Sequence, residues 1–165
     1  MKTDLGQNEQ KQIDQLRQTL DVAGIRYNIL AHDITVVSAD EGAKRGIGSL
    51  REMAPTFILK TEKGYLAAII SGESRLLYKK IKKQLGLKDV SLATPEQVEQ
   101  ATRAQIGSVS LVNVGLPTII DSRLVGMEFV YGGCGICCHT LQIKVADLIE
   151  LTKARVFEFT ELKKR

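Results

Sequence analysis

Apolar residues recur at helical spacing early in the chain, at Ile13, Leu16 and Leu20. They share one face of a 3.6-residue period, so the spacing predicts a helix over 8–23. Gly24 stands where a left-handed cap would end it, and a short strand is expected at 26–30. Ser38-Ala39-Asp40-Glu41 has the S-x-x-E form of a capping box and predicts a short helix, weakened by Gly42, Gly46 and Gly48. Residues 49–55 lead into a hairpin, with strands at 56–61 and 65–70 around the turn Glu62-Lys63-Gly64. A basic amphipathic helix is predicted over 74–85, with Leu77, Ile81 and Leu85 inward and Gly86 as its stop. Val90-Ser91-Leu92 reads as a short strand. Thr94-Pro95-Glu96-Gln97 joins an N-cap, a first-turn proline and a capping Gln, and so starts a helix that ends before Gly107. Four short strands follow, at 108–112, 117–121, 127–131 and 140–145. A helix at 146–153 and a last strand at 155–159 complete the pattern.

Strands and helices are interleaved without a regular βαβ rhythm. The expectation is a mixed α/β fold: one domain over 8–160, with a mixed sheet and helices packed around it. Residues 1–7 are expected to be disordered, and 161–165 to form a basic tail. A chain of 165 residues suits a single domain and can bury a core without a disulfide or a metal. Aromatic residues are 5% of the chain and Trp is absent, which argues against a surface that stacks many bases in succession. The net charge of +4 is compatible with a nucleic-acid partner without requiring one. Lys79-Lys80, Lys82-Lys83 and Lys163-Lys164-Arg165 read most simply as a solvated helix face and a terminus. The start of the chain lacks the pattern of a signal peptide, and no apolar run approaches the roughly 18 residues of a membrane span. Three Cys within five positions do not suit a secreted disulfide framework, so a reduced, cytoplasmic setting is expected.

The densest group of reactive side chains is Cys134-Gly135-Ile136-Cys137-Cys138-His139, after Gly132-Gly133. A structural zinc site needs four ligands, usually from two separated knuckles, and here one knuckle stands alone. Haem attachment needs His directly after the second Cys of the pair, and Cys138 intervenes. Thioredoxin-like chemistry places the pair at a helix N-terminus, whereas this segment leads to a strand. A Cys nucleophile beside His139 is conceivable; in a strand Cys137, not Cys138, would share its face. Small buried thiols lining a pocket or core are the simpler reading. Neither common phosphate-binding glycine motif is present. Gly132-Gly133 marks a turn where backbone must approach a ligand or another strand closely. Asp121 reads as a capping or turn-forming residue before a catalytic base. The chemistry of the residues leaves the activity open.

The order of the segments is more specific. It comprises His32-Asp33, Ser38 to Ala43, Ile70-Ser71-Gly72-Glu73, Lys79-Lys80-Ile81, Leu85-Gly86-Leu87-Lys88, Ala93 to Val98, the Gly107 loop, Leu116 to Asp121, and the double glycine. This set resembles the YbaK/prolyl-tRNA-synthetase-associated (INS-like) editing-domain family over about 27–149. The resemblance implies a mixed α/β fold with a central, partly barrel-like sheet, and hydrolysis in trans of the ester bond of mischarged aminoacyl-tRNA. It implies positioning and oxyanion stabilisation in place of a covalent nucleophile, with no cofactor and no metal. The implied partners are the aminoacylated 3′ end of tRNA and, as a second candidate, an aminoacyl-tRNA synthetase. Two positions depart from the family. Its lysine slot, before the first hairpin strand, holds Pro55; Lys60 lies about 17 Å along the strand. Its G-x-x-x-P loop reads Gly107-Ser108-Val109-Ser110-Leu111, with Leu111 for the proline. The catalytic set is therefore unassigned. The matched positions make Thr56 a substrate contact and Gly107, Ser108, Val109 and Ser110 a source of backbone N–H groups for the ester carbonyl. Gly132, Gly133 and Cys134 would border the amino-acid pocket, with His139 and Thr140 at its rim. The alternatives are a binding module for tRNA or an aminoacyl or nucleotide-like ligand that has lost hydrolysis with the lysine, and a thiol- or metal-based regulator using Cys134, Cys137 and Cys138.

Overall fold

The chain alternates between helix and strand from α1 (Gln7–Val22) to the short β-strand β10 (Thr160–Leu162) in a computed structural model that describes residues 6–32, 36, 38–104, 107–112 and 115–164. Most of the segment expected to be disordered, Asp33 of the His32-Asp33 pair, and Arg165 lie outside these described residues. α1 buries Ile13, Leu16 and Leu20, and Gly24 follows it at φ +71°. β1 (Tyr27–Ala31) comes next, then α2 (Ala39–Lys44), whose N-cap Ser38 accepts a hydrogen bond from the Glu41 N–H. A single 3₁₀ turn, Leu50–Glu52, leads into β2; it carries its own capping box between Ser49 and Glu52.

β2 (Thr56–Thr61) and β3 (Gly64–Ile69) form the expected hairpin, in register Thr56↔Ile69. Then come β4 (Ser74–Leu76), α3 (Tyr78–Leu85), β5 (Val90–Leu92) and α4 (Pro95–Thr102). α3 ends at Gly86 with φ +64°, and α4 starts with the Thr94/Gln97 capping box. The last third holds β6 (Thr118–Asp121), β7 (Phe129–Gly133), β8 (His139–Lys144), α5 (Val145–Thr152), β9 (Arg155–Phe157) and β10.

The strands form three sheets, which do not close into a barrel. The largest has the order β5-β2-β3-β6-β9, antiparallel at β5/β2 and β2/β3 and parallel at β3/β6 and β6/β9. The second is antiparallel, β1-β8-β7, and the third is the pair β4-β10. The expected mixed α/β fold is therefore present, with its strands divided among sheets.

Three apolar clusters hold these layers. One includes the inner face of α1, residues of β7 and β8, and Val145 and Leu148 of α5. The second places Ile81 of α3 and Phe159 among Leu59, Leu66, Ala68, Ile70 and Ile119. The third and smallest contains Ile58, Ala67, Ala93, Val98, Ala104 and Val109. No helix among the described residues is long and apolar enough to cross a membrane.

Three elements differ from expectation. Residues 74–76 are a strand, because Ser74, Arg75 and Leu76 pair with Leu162, Glu161 and Thr160; tertiary pairing overrides helical spacing there. The segment 108–112 forms a loop with one bridge, Ser110 to Gly133. Residues 161 and 162, expected in a tail, belong to β10. Asp121 explains why that end is held. It is fully buried, and its carboxylate accepts hydrogen bonds from Phe159 N–H (2.9 Å) and the Thr160 hydroxyl (2.7 Å) as well as from Arg123 N–H.

Candidate functional site

The double glycine ends β7 between two other stretches of backbone. On one side Ala54 N–H donates to the Tyr131 carbonyl (2.8 Å). On the other, Leu111 N–H donates to Gly133 O (3.0 Å) and Gly135 N–H to Ser108 O (2.8 Å). A Cβ on Gly133 would stand 2.1 Å from Val109 O, and one on Gly132 would meet Leu111 side-chain atoms at 2.6 Å and Ala54 O at 2.8 Å. Glycine is required here by close approach, not by its φ. The 107–111 loop and the double glycine are thus zipped together, and there is no cleft between them.

A cavity of about 290 Å³ opens beside this zipped pair. Buried apolar side chains of the third cluster, Ile58, Ala93, Val98 and Val109, line its interior. The lead into β2 contributes Met53, Ala54, Pro55 and Thr56, and the second sheet contributes Tyr131, Gly132, Gly133, His139 and Thr140. Exposed lining residues mark the mouth: Ser38 and Asp40 at the start of α2, Gly107, and Lys163 just beyond β10. An apolar interior with a few polar groups at the opening is the usual form of a small-molecule site.

Of the residues expected from the sequence, Thr56, Gly107, Val109, Gly132, Gly133, His139 and Thr140 meet around this one space. Ser108, Ser110 and Cys134 are not among its lining residues. Ser108 and Ser110 are spent on the loop itself: the Ser108 carbonyl holds Gly135 N–H, and the Ser110 hydroxyl accepts from Val112 N–H at 3.3 Å. Cys134 turns into the first apolar cluster, where burial pushes its thiol up to about 12 and makes it unreactive. Cys137 and Cys138 sit in the β7–β8 turn before the strand begins, with their sulfurs 3.7 Å apart and Cys138 at φ +64°. Among the described residues, no three His, Cys, Asp or Glu side chains converge in a way that could hold a metal ion.

Polar contacts at the site are few. The Thr140 hydroxyl shares a 2.8 Å hydrogen bond with His32 Nε2. Partial burial, with the charges of His139 and Arg45 nearby, holds the His32 imidazole below its ordinary 6.5. The neutral ring is therefore the main form at pH 7, and its tautomer decides whether Nε2 accepts from the Thr140 hydroxyl or donates to it. His139 Nδ1 lies 3.1 Å from Cys137 O. The Thr56 hydroxyl is buried and has no hydrogen-bond partner among the described residues. Pro55 lines the cavity, while Lys60 is exposed at the other end of β2 and is not among the lining residues.

The sequence pattern of the aminoacyl-tRNA editing domain matches residues 35–151. The chain belongs to that family. Within the editing domain, the matched span includes every lining residue except Lys163. Similar chains include proline–tRNA ligases from Fervidobacterium nodosum, 31% identical over 98 residues, and Caldicellulosiruptor bescii, 26% identical over 119 residues. These alignments take in 58% and 72% of this chain but only 17% and 20% of the ligases, so the chain spans about a fifth of their length. Two crystal structures share the fold over nearly their whole length. One, of a hypothetical protein, has TM-score 0.82 and 26% identity, covering 88% of this chain and 99% of that one. The other, of a candidate trans-editing enzyme for prolyl tRNA synthetase, has TM-score 0.82 and 24% identity, covering 96% and 99%.

The sequence passes over several members of the site, among them Tyr131, Asp40 and Lys163. Tyr131 and Asp40 lie beside recognised motifs, in the strand before the double glycine and in the α2 start signal, where a functional role is hidden by an obvious structural one. Lys163 carries no signal, because its place depends on a strand pairing between residues far apart in the chain, as in Thr160↔Leu76 and Leu162↔Ser74.

Proposed function

We propose that this editing domain hydrolyses, in trans, the ester that joins a wrong amino acid to the terminal ribose of tRNA. The observation that carries the reading is the cavity itself: apolar within, polar at the mouth, and walled along one side by the double-glycine backbone. The acyl group would enter among Ile58, Ala93, Val98 and Val109, with the ribose and terminal base toward Asp40 and Gly107. Water adds to the ester carbonyl, the bond from carbon to ribose oxygen breaks, and that oxygen leaves as a hydroxyl with a proton from the attacking water. Such an ester is already activated, so alignment and N–H donors aimed at the developing oxyanion suffice to accelerate it. Gly107 and Val109 are the proposed source of those donors. Thr140, held by neutral His32, and Thr56, whose hydroxyl no described residue engages, are the proposed polar contacts of the substrate.

The similarity to proline–tRNA ligases supports tRNA misloaded by that class of enzyme as the first substrate to try, and the cytoplasm as the place of action. The test is a panel of mischarged tRNAs incubated with the purified protein. Release of one or a few amino acids, with correctly charged tRNA left intact, is the expected outcome. No turnover on any member of the panel, with tRNA binding retained, would replace this reading with that of a binding module.

A further inference from the structure

Lys163 is the one described cavity-lining residue with a permanent positive charge. Opposite in sign at the same mouth is Asp40; His139 also lines the site. Pro55, on the cavity wall at the head of β2, contributes no charge. A ligand with an apolar side chain on its acyl group and an anionic backbone has one sensible orientation here. Its apolar part goes inward, because a phosphate would be costly to bury away from water. The phosphate stays at the mouth, where Lys163 is exposed.

The position of Lys163 is fixed although its side chain is exposed. The buried Asp121 carboxylate pins Phe159 and Thr160. The whole Phe159 side chain is buried in the second apolar cluster. β10 pairs with β4 in register Leu162↔Ser74, and the Lys163 N–H continues the ladder to Glu73 O at 2.9 Å. Arg75 and Glu161 form an ion pair across the same two strands. The ammonium then reaches back to Gly72 O at 3.1 Å. Gly72 is itself packed tightly, since a Cβ there would stand 2.6 Å from Leu50 O and 2.8 Å from the Ala39 methyl. An ammonium has three donors, and one carbonyl uses one of them. Among the described residues Lys163 has no carboxylate partner.

We infer that Lys163 is the phosphate-binding residue of this site, taking the phosphodiester on the 5′ side of the terminal ribose of the charged tRNA. This rests on the deacylase reading for the identity of the substrate, but the contact can be tested without hydrolysis. Adenosine 5′-monophosphate and adenosine differ only in the phosphate. The wild-type protein should bind the monophosphate about fivefold tighter, as befits one exposed, charge-assisted contact. Lys163→Gln should bind the two alike, and Lys163→Arg should keep the preference. Chemical-shift titration reads all three. β10 is paired through its backbone, so the unfolding midpoint of Lys163→Gln should match wild type.

On charged tRNA, Lys163→Gln should lower kcat/KM about fivefold and make its dependence on log salt shallower by about 0.7, the loss of one phosphate contact on a single strand. Aminoacyl-adenosine, which keeps the ester but has no phosphate, should be hydrolysed equally by both proteins. Equal losses on both substrates, or no wild-type preference for the monophosphate, would overturn the inference while leaving the deacylase reading intact. A Lys163-dependent preference for the monophosphate without hydrolysis of any ester would do the reverse.

Discussion

Gly133 shows how one missing methyl group shapes the site. The Val109 carbonyl occupies the space a Cβ would need, and it is backbone that cannot swing aside. Gly133→Ala must push the 107–111 loop away from β7, breaking the hydrogen bonds at Leu111 and Gly135. We expect a loss of about 1–3 kcal/mol in urea unfolding, the usual range for overpacking. Deacylation should fall further than stability does, because the displaced loop carries Gly107 and Val109 on the cavity wall. The need for glycine here was legible in the sequence as a close backbone approach. What approached it was not, since a strand and a ligand ask for the same residue.

Among the elements, β10 adds no lining residue of its own but sets Lys163, the next residue, at the cavity mouth. It is three residues long, and its hold depends on Asp121, nearly forty positions earlier in the chain. Asp121→Ala would leave the Phe159 N–H and the Thr160 hydroxyl without their acceptor in a buried setting. A cost of about 2–4 kcal/mol is expected from losing hydrogen bonds to a charged acceptor. Hydrogen exchange should report it locally, as lost protection at residues 160–163 while β2 and β3 stay protected. Elements with their own local signals were readable beforehand: the β2–β3 hairpin from its alternation and turn, α4 from Thr94, Pro95 and Gln97, and the end of α3 from Gly86. Those made by distant partners were not. Ser74, Arg75 and Leu76 fall within the helix that Leu77, Ile81 and Leu85 predict, yet they are strand because β10 lies beside them. Residues 161 and 162 looked like a charged tail for the same reason.

For the whole molecule, the balance between folded and unfolded states should depend on pH through His32. Its folded value lies below the ordinary 6.5, so the unfolded chain binds a proton more readily. The stability from its neutral form is fully present above pH 6.5 and is lost as pH falls from there through the folded value. Urea unfolding of wild type should therefore weaken between pH 7.5 and 5.5 by more than that of His32→Gln, and equal slopes would remove His32 from the account. In the imidazolium form Nε2 can only donate to the Thr140 hydroxyl and the ring brings a positive charge to the site, so deacylation should decline over the same range.

The placement of Lys163 has a practical side. Its side chain borders the cavity and its backbone completes the β4–β10 ladder. Any purification handle joined downstream would begin its path at the doorway through which the proposed tRNA substrate would enter. A handle joined ahead of α1 is the safer choice for every assay described above, and a protein found inactive with a C-terminal fusion should be retested after the fusion is cleaved.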